Sequence, residues 1–187
     1  MKSRPILFSG PMVRAILDGK KTQTRRLIKW PVVGPCPYGV PGDRLWVRET
    51  WAPHDRSVLA AQDVTGLYYR ADDEDSYQSD GKWRPSIFMP RWASRIDLDV
   101  KRAWEEPLQS ISEEDAIAEG ISMVPFYPDS GFPLSKGYMV GKDDGKTGLE
   151  TSAAKAYAKL WDSINAKRAL WASNPTVTVI EFERVKP

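Results

Sequence analysis

The stretch DGKKTQTRR, from Asp18 to Arg26, decides how the rest of the chain is interpreted. A short helix is predicted just before it, because Pro11 suits a first helical position and Gly19 suits the position just past a helix end. After Gly19, β-branched residues alternate with long polar ones, which predicts a strand. Amines, hydroxyls and guanidiniums therefore follow a sharp helix exit, which suits the binding of an anion and chemistry beside it. The same residues also fit a solvated basic edge strand, whose lysines discourage pairing with other chains.

The composition restricts the chemistry that this chain can perform. A single cysteine, Cys36, and a single histidine, His54, are too few for a structural zinc site, and the zinc deaminase signature is absent. No metal and no cofactor are therefore expected. His54 lies in a predicted loop, so a Ser-His-Asp triad is not expected either. Catalysis must then rest on other side chains, and a hydroxyl activated by a lysine is an established alternative to histidine. Lys21 and Thr24 offer that pair.

Charge and hydropathy predict where the protein works. The net charge is +2 over 187 residues, so a surface that attracts nucleic acid must be local. No apolar run is long enough to span a bilayer and no signal peptide is recognisable, so no membrane partner is expected. Together with the lone cysteine, these features predict a cytoplasmic protein.

The pattern of apolar residues predicts an α+β fold. Strands are expected after Gly19 and at residues 5–8, 44–51, 66–70, 95–100 and 176–182. Helices are expected at residues 11–18, 111–120 and 151–166, the last with a buried stripe of Tyr157, Leu160, Trp161 and Ile164. About six strands and three short helices predict a small mixed β-barrel with helices packed on its ends. We expect one domain over residues 1–187, with loop insertions at about 52–90 and 121–149. The acidic residues 72–75 are interpreted as a solvated loop.

The predicted helix at residues 111–120 carries a second candidate group. Ser112 and Asp115 resemble a capping box, and Gly120 ends the helix. Glu119 therefore lies in the last turn, where the helix dipole disfavours a carboxylate by roughly 0.3–1 kcal/mol. A carboxylate placed against the local field holds its proton more readily, which suits a group that transfers protons. The alternative is that Glu119 simply pairs with a nearby lysine.

The predicted strand at residues 44–51 carries a third group. Arg48 and Glu49 lie beside Trp46 and Trp51 and would line a pocket. An ordinary amphipathic strand with a surface ion pair explains the same pattern equally well.

Four blocks of this sequence, taken in order and spacing, resemble the ASCH domain family. They are residues 19–25 (GKKTQTR), 41–43 (PGD), 111–120 (ISEEDAIAEG) and 179–182 (VIEF). The chain as a whole also resembles the longer ASCH proteins that phages and prophages often carry. The resemblance implies a PUA-like β-barrel, related to modules that bind RNA or modified bases, and the insertions lie outside it.

The resemblance also implies an activity. Small bacterial members of the family are N4-acetylcytidine amidohydrolases, and their motif residues correspond here to Lys21, Thr24 and Glu119. In the resulting hypothesis Lys21 takes the proton of Thr24, Thr24 attacks the acyl carbonyl on the cytosine, and Glu119 passes a proton to the leaving amine. A lowered pKa of Lys21 is expected from burial and from neighbouring cations. Because residues three apart on a strand point to opposite faces, Lys21 must still lie in the turn before the strand.

The expected partner is a modified nucleoside or RNA, with its base stacked on Trp46 or Trp51. The expected substrate-binding residues are Lys20, Thr22, Arg25, Arg26, Trp46, Arg48, Glu49 and Trp51. Two alternatives stay open. In a non-catalytic module for RNA or a modified base, Lys21 would only neutralise phosphate. In a ribonuclease, Lys21 would stabilise the phosphorane while Glu119 or a tyrosine moved protons.

Overall fold

The main sheet contains five strands in the computed structural model, which describes residues 1–28, 36–72, 82–126, 135–141 and 149–185. These strands are β1 (Ser3–Leu7), β2 (Gln23–Leu27), β3 (Arg44–Arg48), β6 (Asp97–Pro107) and β9 (Thr176–Arg184). Two further pairs are β4 (Trp51–Pro53) with β5 (Leu67–Tyr69), and β7 (Ile121–Phe126) with β8 (Ser135–Val140). The described α-helices are α1 (Gly10–Leu17), α2 (Arg56–Ala61), α3 (Glu113–Ala118) and α4 (Ala153–Asn165).

The α+β class and the mixed sheet predicted from the sequence are confirmed. The strand order is β1-β3-β6-β9-β2, with β1 and β3 parallel and the other pairs antiparallel. Over the described residues the sheet is open rather than a closed barrel, because no ladder joins its edge strands β1 and β2. One side chain bridges them instead: Arg26 Nη2 donates to the Leu7 carbonyl oxygen at 2.7 Å.

The last strand, β9, lies inside the sheet, as its two apolar faces predict. It pairs with β6 on one side and with β2 on the other. Ile180 and Phe182 pack into an apolar cluster with α1, whereas Val177 and Val179 pack into a second cluster with α3 and α4. The sheet therefore separates two cores, and a residue's position along β2 decides which core its side chain meets.

The predicted loop insertion at residues 121–149 needs correction. Residues 121–126 and 135–140 were expected to be irregular, but β7 and β8 pair in register from Ile121 with Val140 to Phe126 with Ser135. Pro125 and Gly137 interrupt the local strand pattern, so the pairing depends on the partner strand. Residues 127–134 and 142–148 of the predicted insertion lie outside the described residues, as do residues 73–75 of the acidic patch.

None of the described helices is long and apolar enough to cross a membrane.

The predicted stripe on α4 is buried only in part. Tyr157 and Trp161 are each 3% exposed and Leu160 is half-buried, but Ile164 in the last turn is 60% exposed. Helical spacing places Ile164 on the same side as the others. The spacing of apolar residues along a helix does not indicate where the packed surface ends.

This difference along one helix face gives a test of the fold. We expect Trp161→Ala to lower the free energy of unfolding by about 3–5 kcal/mol, because it leaves a cavity in the second core. Ile164→Ala on the same face should change it by less than about 0.5 kcal/mol. Urea unfolding followed by circular dichroism measures both. Equal losses in the two variants would contradict this packing.

Candidate functional site

The C-terminal ends of α1 and α3 lie next to each other beside the edge strand β2. Gly19, at φ +72°, turns the chain out of α1, and Gly120, at φ +99°, turns it out of α3. The Thr22 amide donates to the Ala118 carbonyl oxygen at 2.8 Å, so the two exits are joined through the backbone. Lys21 lies in the turn before β2, as the predicted geometry requires, and Glu119 is the C-terminal cap of α3. Their side chains therefore point into the same interior space.

Lys21 and Glu119 form a buried ion pair. Lys21 Nζ lies 2.6 Å from Glu119 Oε2, and the side chains are 1% and 4% exposed. The ammonium also donates to the carbonyl oxygens of Glu119 and Gln23, each at 2.7 Å, so three acceptors receive its three protons. Burial lowers the pKa of Lys21 below its usual value, against the pull of the Glu119 carboxylate. Arg26 and Arg25 lower the Lys21 pKa further, as predicted.

The second carboxylate oxygen of Glu119 is held by other donors. Oε1 accepts from the Arg25 amide at 2.5 Å, the Tyr157 hydroxyl at 3.2 Å and Arg25 Nη1 at 3.5 Å. Burial raises the pKa of Tyr157 well above its ordinary value, and the neighbouring Glu119 raises it further, so the phenol stays a neutral donor. Oε1 is thus anchored, whereas Oε2 faces only Lys21 among the described residues. The carboxylate has one fixed orientation and one oxygen available for proton exchange.

Arg25 connects this pair to two more carboxylates. Its buried guanidinium donates to Glu106 Oε1 from Nε at 3.0 Å and from Nη2 at 2.9 Å, and Nη2 lies 3.3 Å from Asp115 Oδ2. We call the whole group the Glu119 cluster: Lys21, Arg25, Glu106, Asp115, Glu119 and Tyr157. This cluster contains two cationic and three carboxylate side chains, so it does not provide the local excess of positive charge that would suit an anion. Arg25 is neutralised inside the protein.

Thr24 is buried, but it points away from the cluster. It lies opposite Ile180 in the β2–β9 ladder, whereas Arg25 lies opposite Val179, so the two side chains face different cores. No hydrogen bond joins the Thr24 hydroxyl to Lys21 Nζ, whose donors are all engaged elsewhere. The structure thus brings Lys21 and Glu119 into contact and places Thr24 on the other face of the same strand.

The Phe8 ring lies close to the site on the Thr24 face of β2. Arg26 extends over this ring at 5.0 Å, and Lys21 Nζ lies 5.5 Å from the same ring centroid. Lys21 therefore stands at the strand edge, with Glu119 on one side and the Phe8 ring on the other.

The other predicted binding residues lie outside the Glu119 cluster. Lys20 is exposed and 3.5 Å from Asp18, and Thr22 is exposed. Glu49 is buried and binds Arg95 through both oxygens, at 2.9 and 3.1 Å, rather than Arg48. Burial raises the pKa of Glu49 even though Arg95 opposes the shift. The surface ion pair between Arg48 and Glu49 was therefore a wrong alternative.

Neither predicted tryptophan offers a free face for a base. Trp51 is 1% exposed and packs in a cluster with Met89 and Ala93, its ring 6.1 Å from that of Trp92. Trp46 is buried beneath two guanidiniums, those of Arg48 at 4.6 Å and Arg91 at 5.8 Å. Apart from Arg48, the residues that cover these rings come from the region around residue 90, at the end of the predicted loop insertion.

Sequence reasoning missed three members of the cluster, namely Glu106, Asp115 and Tyr157. Tyr157 was interpreted only as part of an apolar stripe. A tyrosine in a buried stripe needs a partner for its hydroxyl, and this signal would have pointed to a polar group in the core. The described residues contain no group of three or more His, Cys, Asp or Glu side chains placed to hold a metal ion.

Comparisons with known proteins give one structural relative. No protein-family model matches this chain, and no curated protein matches it. The chain is similar to the ASCH domain from Lactobacillus crispatus JV V101, known from a high-resolution crystal structure, with 11% identity and a TM-score of 0.45. The match covers 98% of this chain and 79% of that one.

The buried lysine gives a test through the pH dependence of stability. Because the pKa of Lys21 is lowered from 10.5, the folded protein releases this proton before the unfolded chain does. The unfolded state then binds more protons, so Lys21 makes the free energy of unfolding rise with pH up to the ordinary lysine pKa. We expect Lys21→Met to flatten this rise in the pH range below the ordinary lysine value of 10.5.

Urea unfolding at several pH values measures the slope. Lys20→Met is the matched control, because its ammonium is exposed, and it should keep the wild-type slope. Identical slopes for the wild type and Lys21→Met would contradict a lowered pKa.

Proposed function

We propose that this protein hydrolyses the N4-acyl amide of cytidine or of a related modified nucleoside. The observation that carries the proposal is the buried contact of 2.6 Å between Lys21 Nζ and Glu119 Oε2. A lysine whose pKa is lowered by burial, in direct contact with an oriented carboxylate, is a pair that can exchange a proton during acid–base catalysis. The resemblance of the sequence blocks to amidohydrolases selects the substrate class.

The proposed reaction starts with proton transfer inside the pair. Lys21 gives one proton to Glu119 Oε2 and becomes a neutral amine with a free lone pair. It then leaves the Gln23 carbonyl, turns toward the Phe8 side of the strand and accepts the proton of the Thr24 hydroxyl. Thr24 Oγ bonds to the acyl carbon while the bond from that carbon to N4 breaks. Glu119 returns its proton to N4, and water later releases the acyl group from Thr24 as a carboxylic acid.

Tyr157 and Arg25 would act as positioning residues in this scheme. They hold Glu119 Oε1 through the phenol, the Arg25 amide and the Arg25 guanidinium, which leaves Oε2 for the proton exchange. Neither residue needs to touch the substrate.

One observation favours a second candidate, a non-catalytic module for RNA or a modified base. All three donors of Lys21 are occupied, and the Thr24 hydroxyl is not bonded to it. In that role the cluster would be a rigid support for a binding surface rather than a reacting centre.

The first test is turnover of N4-acetylcytidine. We expect Lys21→Met, Thr24→Val and Glu119→Gln each to lower the rate by at least about 100-fold, the usual contribution of a group in acid–base catalysis. Lys20→Met and Thr22→Val are matched controls from the same stretch, with exposed side chains, and should stay close to wild type. Circular dichroism and melting curves check that each variant folds.

Two outcomes would contradict the proposal. Full turnover by Thr24→Val would remove the nucleophile from the mechanism. Inactivity of the wild type on acylated cytidines, together with binding of the same compounds, would favour the binding module.

The second test concerns Tyr157. Tyr157→Phe keeps the ring between Trp161 and Trp171 but removes one donor to the ionised Glu119 carboxylate. The carboxylate is then held less firmly, so kcat/KM should fall although the packing of the ring is kept. The rate is measured with an unchanged melting temperature as the control for folding. A wild-type kcat/KM would mean that Tyr157 contributes only packing.

A further inference from the structure

An exposed apolar surface lies beside β1 and β3, and we call it the Phe88 surface: Leu7, Arg48, Ile87 and Phe88. Phe88 is 72% exposed, Ile87 57% and Leu7 38%. Arg48 Nη1 donates to the Ile87 carbonyl oxygen at 3.1 Å, and Leu7 is the register partner of Arg48 in the parallel β1–β3 ladder. The four residues are therefore neighbours on one surface.

The Phe88 surface adjoins the candidate site. Arg26 Nη2 donates to the Leu7 carbonyl oxygen at 2.7 Å, and the same guanidinium lies over the Phe8 ring. The Phe8 amide in turn donates to the Arg48 carbonyl oxygen at 3.1 Å. A row of contacts thus runs from Lys21 and Phe8 through Arg26 and Leu7 to Arg48 and the backbone of Ile87, the residue before Phe88.

No carboxylate of the described residues offsets the charge of the two arginines in this row. Neither Arg26 nor Arg48 forms an ion pair with any residue in the part of the chain that the structure describes. The Nε atom of each is buried and has no hydrogen-bond partner there. Stacking on Phe8 and on Trp46 limits the motion of both guanidiniums. Fixed cations beside an exposed phenyl ring suit a ligand that alternates anionic groups with flat apolar rings.

We propose that the Phe88 surface binds the part of a single-stranded nucleic acid that adjoins the reacting nucleotide. The ring of Phe88 stacks on a neighbouring base, and Arg48 contacts a phosphate. The substrate is then a nucleotide within a strand rather than a free nucleoside. The identity of the reacting base rests on the proposed function, but strand binding requires no turnover.

A second arginine–tryptophan pair on this protein provides the matched control. Arg102 lies over Trp104 at 4.9 Å, as Arg48 lies over Trp46. Arg102 is exposed, however, and lies 3.8 Å from Glu181, so a carboxylate already offsets its charge. Arg102→Ala removes the same charge from the protein as Arg48→Ala and tests for non-specific attraction.

The binding experiment uses fluorescence anisotropy with a short labelled RNA strand that carries no acyl group. Phe88→Ala should weaken binding by about 5- to 150-fold, the usual effect of losing one stacked base. Arg48→Ala should weaken binding and reduce the slope of log K against log salt by about 0.7, the value for one phosphate contact on a single strand. Arg102→Ala should change neither quantity. A DNA strand of the same sequence distinguishes the two sources of this chemistry, since only RNA offers 2′-hydroxyls.

The inference is overturned if Phe88→Ala and Arg48→Ala bind the strand as the wild type does, or if Arg102→Ala weakens it equally. Turnover measurements distinguish the failure of this inference from the failure of the proposed function. Phe88→Ala should hydrolyse free N4-acetylcytidine at the wild-type rate and lose activity only on the same nucleoside within a strand. Hydrolysis of the free nucleoside without strand binding overturns the inference alone. Strand binding that depends on Phe88, without any hydrolysis, supports the inference and overturns the proposed function.

Discussion

At the free edge of β2, an ion pair rather than another strand forms hydrogen bonds with the backbone groups. Gln23 and Arg25 lie at positions of the β2–β9 ladder where the backbone groups point away from β9, since the neighbouring Thr22 carbonyl bonds to the Phe182 amide. The Gln23 carbonyl accepts from Lys21 Nζ, and the Arg25 amide donates to Glu119 Oε1. Lys21 and Glu119 thus supply the donor and the acceptor that a next strand would have supplied. Taking both charges out of water costs several kcal/mol for each ion, and the hydrogen bonds to both groups offset that cost.

This arrangement explains why the sheet is open. A direct ladder between β1 and β2 would use the backbone groups that now bind cationic side chains. Lys21 takes the Gln23 carbonyl of one edge strand, and Arg26 takes the Leu7 carbonyl of the other. Charged side chains at both edges also disfavour pairing with other chains. The basic edge strand considered from the sequence and the candidate site are therefore the same structure, and the two interpretations do not exclude each other.

The sequence predicted the parts of this structure that depend on local signals. Gly19 and Gly120 mark the two helix exits, and the two-faced apolar pattern of residues 176–182 places that strand inside the sheet. The contact of Lys21 with Glu119 joins residues 98 positions apart. The resemblance to a known family named both residues, whereas the alternative that Glu119 pairs with a lysine, which the structure bears out, did not identify which lysine. Trp46 and Trp51 were predicted to stack a base, because alternation along a strand reveals its two faces but not what covers them. Here side chains from residues 84–92 contact both rings. Tyr157 was missed for a related reason, since helical spacing does not distinguish a ring that only packs from one whose hydroxyl holds a carboxylate.

The position of Lys21 at a strand edge also determines which chemistry the site permits. A residue inside β2 has access to one face of the sheet, as Thr24 and Arg25 demonstrate by facing different cores. Lys21 precedes the strand, so its amine reaches Glu119 on one side and lies 5.5 Å from the Phe8 ring on the other. It is therefore the group in this cluster that is placed to carry a proton past the edge, from the anchored carboxylate to the face that holds Thr24 and Arg26. A closed barrel would block that route with a β-ladder, so the open edge and the proposed proton transfer depend on the same missing backbone hydrogen bonds.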